Sequence, residues 1–172
     1  MPTLQIATAT PPKGLSEMLQ ELGDGEAGFG GTPYGRGDME LEEYLDCCVK
    51  GTIPTHVPSG RVPQTIFWIT EDGVAVGMLR MRHFLNDSLR IEGGHIGYYI
   101  RPSARRRGLA TEALRQTLQE LARLGERRAL LTTDPDNLGS IRVIEANGGS
   151  LAARVPDPDG LGLVSQYWIE LA

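Results

Sequence analysis

The sequence GHIGYYIRPSARRRGLATEAL, residues 94–114, decides the fold. It begins with a short apolar segment typical of a strand, continues through an arginine-rich turn that contains Gly108, and ends in the opening of an amphipathic helix. The first N–H groups of a helix have no intrahelical partner, and the helix dipole adds partial positive charge at that end. The turn is therefore predicted to bind an anion.

Two features of the turn point to phosphate. Gly108 and Ala110 carry little or no side chain, so phosphate oxygens can approach the main chain closely. Arg105, Arg106 and Arg107 can add charge-assisted hydrogen bonds to a polyphosphate. A run of arginines is more often a solvated surface, and it is the preceding strand and the two small residues that favour a phosphate site here.

The spacing Arg105-x-x-Gly108-x-Ala110 after a strand resembles the acyl-CoA pyrophosphate signature of the GNAT (general N-acetyltransferase) superfamily. A second segment is similar to a later strand and helix of that family: TTDPDN at residues 132–137, followed by SIRVIEANGG at residues 140–149. The resemblance covers roughly residues 64–171. Residues 80–86 and 93–98 resemble a bacterial subgroup of uncharacterised predicted acetyltransferases.

The resemblance implies an acetyl-CoA site with a particular geometry. In this family the strand before the turn, here residues 98–100, separates from its parallel neighbour, here residues 129–133, and the pantetheine arm lies in the gap. A backbone N–H in that gap polarises the thioester carbonyl. The residues that the resemblance assigns to acetyl-CoA are Tyr99, Ile100, Arg105, Arg106, Arg107, Gly108, Leu109, Ala110, Thr111, Asn137 and Ser140. Asn137 is also expected to cap the helix that follows it.

The acid that protonates the leaving thiolate is not evident from the resemblance. Many family members carry a tyrosine seven residues after the motif asparagine, and that position is Ile144 here. Tyr98 is the candidate acid among the other tyrosines, with Tyr99 and Tyr167 as alternatives. The thiolate can also leave unassisted, because a thiol pKa near ~8.5 makes it a tolerable leaving group.

Four polar residues before and at the start of the strand are candidates for base or acceptor contacts. His95 and Glu92 are candidate catalytic bases, since a histidine titrates near neutral pH without tuning. Each also has a structural interpretation: His95 can form a hydrogen bond between strands, and Glu92 can be a solvated surface charge. His83 and Asn86 are expected to contact the acceptor substrate, and for His83 the alternatives are a structural role and a role as the base.

The composition limits the classes of function. A chain of 172 residues with 40% hydrophobic and 23% charged residues is typical of one soluble domain. Its net charge of -5 argues against general nucleic-acid binding, although the arginines crowd into residues 101–107. Cys47 and Cys48 are adjacent and unsuited to a structural disulfide, which favours the cytoplasm. We expect no membrane span, no signal peptide and no metal site.

The helix and strand patterns predict an α/β fold. Helices are predicted at residues 15–22, 38–50 with Asp38 as N-cap, 109–124 and 137–147. The third helix carries an apolar stripe of Ala110, Leu114, Leu118, Leu121 and Leu124. Strands are predicted at residues 65–70, 74–81, 95–100, 129–133, 150–155 and 165–171, with Asp72-Gly73 as a tight turn. Residues 23–37 and 86–88 are predicted as loops.

These elements, together with the resemblance, predict a mixed, mostly antiparallel sheet of six to seven strands with a splayed parallel pair, flanked by helices. The chain is expected to form one domain over residues 1–172. Within it, residues 1–63 form a variable segment on the acceptor side and residues 64–171 form the core.

The leading hypothesis is an N-acetyltransferase that transfers an acetyl group from acetyl-CoA to a primary amine of a small molecule or peptide, by direct attack in a ternary complex. The alternative is a catalytically silent acyl-CoA-binding or sensing domain, which Ile144 favours. A third hypothesis, RNA binding by the arginine cluster, conflicts with the acidic net charge. A homodimer is common in this fold and stays open.

Overall fold

We describe a computed structural model that covers residues 1–172. Its elements are β1 (Thr3–Ile6), α1 (Leu15–Leu22), β2 (Gly25–Glu26), β3 (Phe29–Gly30), α2 (Leu41–Lys50), β4 (Gln64–Glu71), β5 (Val74–Arg82), α3 (Asp87–Ile91), β6 (Ile96–Ile100), α4 (Leu109–Arg123), β7 (Arg128–Thr133), α5 (Leu138–Ala146), β8 (Ser150–Pro156) and β9 (Leu163–Glu170). One sheet has the order β1-β4-β5-β6 and another has β7-β9-β8, while β2 and β3 form a separate ribbon. The predicted α/β fold is confirmed, with seven strands in the two main sheets.

The two sheets are joined where β6 begins. The His95 N–H donates to the Leu130 carbonyl oxygen at 2.7 Å, and β6 and β7 form no ladder beyond that point. Helix α4 links the end of β6 to the start of β7, so the chain crosses back along the sheet and the two strands run in the same direction. The division between the sheets therefore lies at the pair for which the resemblance implies a splay.

The β4–β5 hairpin follows the sequence prediction closely. Asp72 and Gly73 both have positive φ, 50° and 76°, which is the conformation of a two-residue hairpin turn whose twist matches the flanking strands. Ile66 lies opposite Arg80, and Phe67 lies opposite Leu79. Because side chains alternate along a strand, this register fixes which residues of β5 face each side of the sheet.

The first sheet carries an apolar cluster on each face. Helix α4 covers one face, where Leu114 and Leu121 are fully buried, and helices α1 and α2 cover the other around Trp68. Burial of each such side chain is worth about 1.5–3 kcal/mol. The predicted stripe on α4 is wrong at Leu124, which is 52% exposed, because the helix ends at Arg123 before that side chain reaches the sheet.

The N-terminal third is more regular than the sequence predicts. Strand β1 pairs with β4 at the sheet edge, the predicted loop 23–37 contains the β2–β3 ribbon, and α3 replaces part of the loop at 86–88. These elements are too short to show a clear hydrophobic period. Asp38 is not the N-cap of α2, since that position is Glu40 and the Asp38 carboxylate pairs with Arg36 at 3.0 Å.

The structure also bears on membrane spanning, metal binding and cysteine chemistry. None of the helices combines the length and the hydropathy that crossing a membrane requires. No group of three or more His, Cys, Asp or Glu side chains is arranged to hold a metal ion. Cys47 and Cys48 are both free, and burial raises the pKa of Cys48 to about 11. At neutral pH the Cys48 thiol is therefore protonated and a poor nucleophile.

Candidate functional site

The turn between β6 and α4 presents a row of unpaired main-chain donors. The N–H groups of residues 106–111 donate to no oxygen of the chain, and the first hydrogen bond of α4 runs from the Glu112 N–H to the Gly108 carbonyl at 3.1 Å. A helix ordinarily leaves its first N–H groups free, but here the row begins before the helix and no side chain caps it. Arg106 and Gly108 have φ of 60° and 75°, and left-handed residues of this kind make anion-binding concavities.

The arginines of the turn are mostly paired with carboxylates. Arg105 makes a bidentate pair with Glu26, at 2.8 and 2.6 Å, and its Nε donates to the Ile100 carbonyl at 2.8 Å. The hydrogen bond from Arg105 lowers the pKa of Glu26. Two more pairs are Arg107–Glu71 and Arg101–Glu21, each at 2.7 Å. The expected concentration of positive charge is therefore largely neutralised, and Arg106 is the arginine of this group without a carboxylate partner.

A gap opens between β6 and β7, along the strand that precedes this turn. It belongs to a cavity of about 150 Å³, whose lining includes Gly97 and Tyr98 of β6, Leu131 and Thr132 of β7, and the ribbon residues 28–30. The Arg82 N–H donates to His95 O and the Arg101 N–H to Val76 O, which fixes the alternation of hydrogen bonds between β5 and β6. The N–H groups of residues 96, 98 and 100 therefore point away from β5, toward the gap.

Tyr98 places its hydroxyl at the first turn of α5. The hydroxyl lies 2.8 Å from Ser140 Oγ and 3.2 Å from the Ser140 carbonyl oxygen, and burial raises the pKa of Tyr98 to about 12. Asn137 caps α5, because its Oδ1 accepts the Ser140 N–H at 3.1 Å. Ile144 also lines the cavity, so the position of the usual family tyrosine is apolar and a different tyrosine lies in the gap.

The two candidate bases, Glu92 and His95, line different cavities on the two sides of the start of β6. Glu92 lines the gap cavity, and burial together with Asp157, Asp159 and Asp134 raises its pKa. His95 lines a second cavity beside Trp168, where its Nδ1 accepts the Leu130 N–H at 2.9 Å. Burial lowers the pKa of His95 to about 4, and the Glu126 carboxylate, 3.7 Å from Nε2, is too far for a hydrogen bond. The structure thus separates His95 from Glu92 and Tyr98.

Several other predicted residues do not reach the gap through their side chains. His83 bonds Thr65 Oγ1 at 2.8 Å, and Asn86 caps α3 and donates to the Gly60 carbonyl at 3.1 Å; neither lines the cavity. The Tyr99 ring is buried on the opposite face, where it stacks on Phe29 with centroids 6.2 Å apart. The buried Leu109 and the half-buried Ala110 and Thr111 offer their main-chain N–H groups to the turn.

Sequence reasoning missed two arginines of the cavity, Arg80 and Arg82. Both lie on β5 two positions apart, so they share one face of the strand, and both line the gap cavity. The signal was present in the sequence, since alternate arginines in an otherwise apolar strand predict a charged stripe on one face. What the sequence does not show is that this stripe ends beneath the β2–β3 ribbon rather than in solvent.

Comparison with known proteins finds solved structures of similar fold. Similar solved structures include yncA of Salmonella typhimurium with its cofactor acetyl-CoA, at TM-score 0.70 and 17% identity over 99% of this chain and 94% of that one. A GNAT-family acetyltransferase from Streptococcus pneumoniae has a TM-score of 0.70 and 13% sequence identity over 100% of both chains. Aminoglycoside acetyltransferase AAC(6')-Ib in complex with coenzyme A has a TM-score of 0.63 and 16% sequence identity over 99% of this chain and 95% of that one.

At these identities the solved structures show the fold alone. The chain matches no curated protein sequence. The family model described as acetyltransferase (GNAT) domain matches residues 33–150, which is more than half of the chain. This chain therefore belongs to the GNAT family of acetyltransferases.

Proposed function

We propose that this chain transfers the acetyl group of acetyl-CoA directly to the primary amine of a small molecule or peptide while both substrates are bound. The observation that carries the proposal is the row of unpaired N–H groups at residues 106–111, which follows directly on β6, the strand beside the gap. Main-chain donors at the positive end of a helix suit a diphosphate. Because most arginines of the turn are paired with carboxylates, we assign the binding of the diphosphate to the main-chain N–H groups rather than to arginine side chains.

Acetyl-CoA supplies a thioester, whose carbonyl carbon is attacked and whose sulfur leaves. The N–H groups of residues 96, 98 and 100 point toward the gap and are available to donate to the carbonyl oxygen as negative charge develops there. One such donor is worth roughly 2.7–4 kcal/mol in the barrier. Asn137 and Ser140, at the first turn of α5, are assigned to the pantetheine side of the gap.

The proton transfers are assigned to Glu92 and Tyr98. As the amine nitrogen bonds to the carbonyl carbon, its proton passes to the Glu92 carboxylate, which is a stronger base because its pKa is raised. As the carbon–sulfur bond breaks, the Tyr98 hydroxyl, protonated at neutral pH, donates a hydrogen bond to the departing sulfur. No role in these steps is assigned to His95, His83 or Asn86, because their side chains do not line the gap cavity.

The acceptor side is assigned to residues 1–63 together with the gap. Support comes from the ribbon, because Gly28 and Phe29 line the same cavity as Tyr98 and Glu92. The ribbon is held against β6 by the Arg105–Glu26 pair and by the stacking of Phe29 on Tyr99. Its residues therefore contribute to the wall that an acceptor meets.

The competing function is binding of an acyl-CoA without transfer, which the apolar Ile144 favours. Two measurements separate the two functions. Acetyl-CoA at 100 times its dissociation constant should add roughly 2.7 kcal/mol to the free energy of unfolding. Release of free thiol is then followed across a panel of primary amines. Stabilisation with amine-dependent thiol release supports the transferase, stabilisation without release on any amine supports the silent domain, and no stabilisation rejects both.

A further inference from the structure

Two arginine side chains that line the gap cavity form no ion pair with a carboxylate. Arg80 donates through Nη2 to the carbonyls of Gly30, at 2.7 Å, and Gly31, at 3.1 Å, and its guanidinium lies 4.2 Å from the centre of the Phe29 ring. Arg82 donates through Nη1 to the carbonyls of Gly93, at 2.9 Å, and Gly94, at 3.1 Å. Neither guanidinium forms an ion pair, whereas the arginines that do are Arg36, Arg101, Arg105, Arg107, Arg115 and Arg123.

Both guanidinium groups keep donors that face the cavity. Each has five N–H groups, of which two are used by the carbonyls, so three remain. The enclosed polar side-chain atoms without a partner are Trp68 Nε1 and Ser165 Oγ, so the free nitrogens of Arg80 and Arg82 are not sealed in the protein. They line the cavity and can be reached from it.

The electrostatic cost of this arrangement favours an anion. Burial lowers the pKa of both arginines, to about 10 for Arg82, and Arg80 and Arg61 contribute to that shift because like charges repel. Half-buried cations without a carboxylate are unfavourable unless a negative group compensates them. A carboxylate matches the planar donor fork of a guanidinium.

We propose that the acceptor is a small amine that carries a carboxylate, on the scale of a free amino acid, and that Arg80 and Arg82 bind this carboxylate. The inference rests on the proposed function, because it names the acceptor of the same cavity. Glu92 and Asp134 line that cavity as well, so it offers positive charge for the carboxylate and negative charge for the amine. The volume of about 150 Å³ suits a small molecule. A polycationic amine such as an aminoglycoside would meet two positive charges here.

The first test measures thiol release from acetyl-CoA with three sets of amines: free L-amino acids, their primary carboxamides, and kanamycin. The carboxamides keep the amine and the side chain but lose the negative charge. We expect kcat/KM for the best amino acid to exceed that of its carboxamide at least tenfold, and kanamycin to be a poorer acceptor than that amino acid. Equal or better rates with the carboxamides or kanamycin would overturn the carboxylate site while leaving the acetyl transfer intact.

The second test does not depend on turnover. The same amino acids and carboxamides are titrated by calorimetry into protein saturated with coenzyme A. If an amino acid binds and its carboxamide does not, the carboxylate site is supported even if no amine is acetylated. Absence of acetylation in that case would count against the proposed function alone. Absence of binding by every amino acid would overturn the site.

The variants Arg80→Gln and Arg82→Gln connect the effect to these side chains. Each should reduce the preference for carboxylate over carboxamide at least fivefold, with the thermal stabilisation by acetyl-CoA retained because the turn at residues 106–111 is unchanged. Arg127→Gln is the matched control, since it removes a positive charge from an exposed position that lines neither cavity. It should change the preference less than twofold. A preference that survives in both cavity variants contradicts the assignment.

Discussion

The sharpest test of the turn is the substitution Gly108→Asp. Gly108 precedes α4 with φ of 75° and ψ of 4°, and a Cβ added there meets no atom within 4 Å. Aspartate tolerates the left-handed conformation better than most residues, so the fold should persist at a cost of about 1 kcal/mol. Its carboxylate would place a negative charge beside the unpaired N–H groups, where it competes with a diphosphate and repels it.

The size of the effect follows from the donors that are lost. A hydrogen bond to a charged group contributes about 1.5–3 kcal/mol, so losing two costs roughly 3 kcal/mol, or about a hundredfold in Kd. Acetyl-CoA at about 1,000 times the wild-type Kd stabilises the wild type by roughly 4.1 kcal/mol. The same concentration is then about 10 times the Kd of the variant, which gives roughly 1.4 kcal/mol. For a domain of this size these energies correspond to Tm increases of roughly 8–16 °C and 3–6 °C.

The assay is thermal unfolding with and without acetyl-CoA at one fixed concentration. Gly125→Asp is the matched control, because Gly125 follows the other end of α4, has φ of 98°, and leaves the same open space around an added Cβ. It should lose a similar amount of intrinsic stability and keep the full acetyl-CoA shift. If Gly108→Asp keeps the full shift as well, the diphosphate is bound elsewhere and the reasoning about residues 106–111 is refuted.

Three further predictions concern single side chains of the site and its surroundings. Tyr98→Phe should lower kcat about tenfold with little change in the KM for acetyl-CoA, since the hydroxyl acts on the departing sulfur; an unchanged kcat would remove Tyr98 from the mechanism. Glu92→Gln should lower kcat/KM roughly a hundredfold at neutral pH. In the wild type, kcat/KM should fall as the pH drops through the raised pKa of Glu92, and this acid limb should be absent in the variant. The pKa of His95 is lowered to about 4, so its contribution to stability is fully present above about pH 6.5 and is lost as the pH falls toward 4. The loss in the free energy of unfolding is roughly 3 kcal/mol. It should appear as a decrease in Tm over this pH range, and the decrease should be smaller in His95→Gln.

The sequence predicts the elements that local patterns encode. The alternating strands and the Asp72-Gly73 turn determine the β4–β5 hairpin, and the period of Leu114, Leu118 and Leu121 determines the buried face of α4. Gly108 has the positive φ that its position in the turn requires. These features depend on neighbours within a few residues, so the patterns of a single chain are sufficient to find them.

The sequence does not predict the partners of the charged groups. Arg105 resembles a phosphate ligand by position, yet its carboxylate partner Glu26 lies 79 residues earlier, in a segment with no strong pattern. His95 and Glu92 are three residues apart but line different cavities, because Gly93 and Gly94 between them both have positive φ and redirect the chain. Ion pairs and cavity walls depend on how distant segments meet, and hydrophobic periodicity carries no information about that.

The ribbon at residues 25–30 contacts both the turn and the gap cavity. Glu26 at its start holds Arg105 in the turn, and Gly30 at its end accepts a hydrogen bond from Arg80 in the cavity. Between them Phe29 contacts both the Tyr99 ring and the Arg80 guanidinium. The ribbon contacts β6 through the Tyr99 ring and not through the N–H groups of residues 96, 98 and 100, so a change at Gly30 can alter the position of Arg80 while those N–H groups stay in place. If the proposed acceptor site is correct, sequence changes in this segment alter the choice of acceptor and leave the thioester chemistry unchanged.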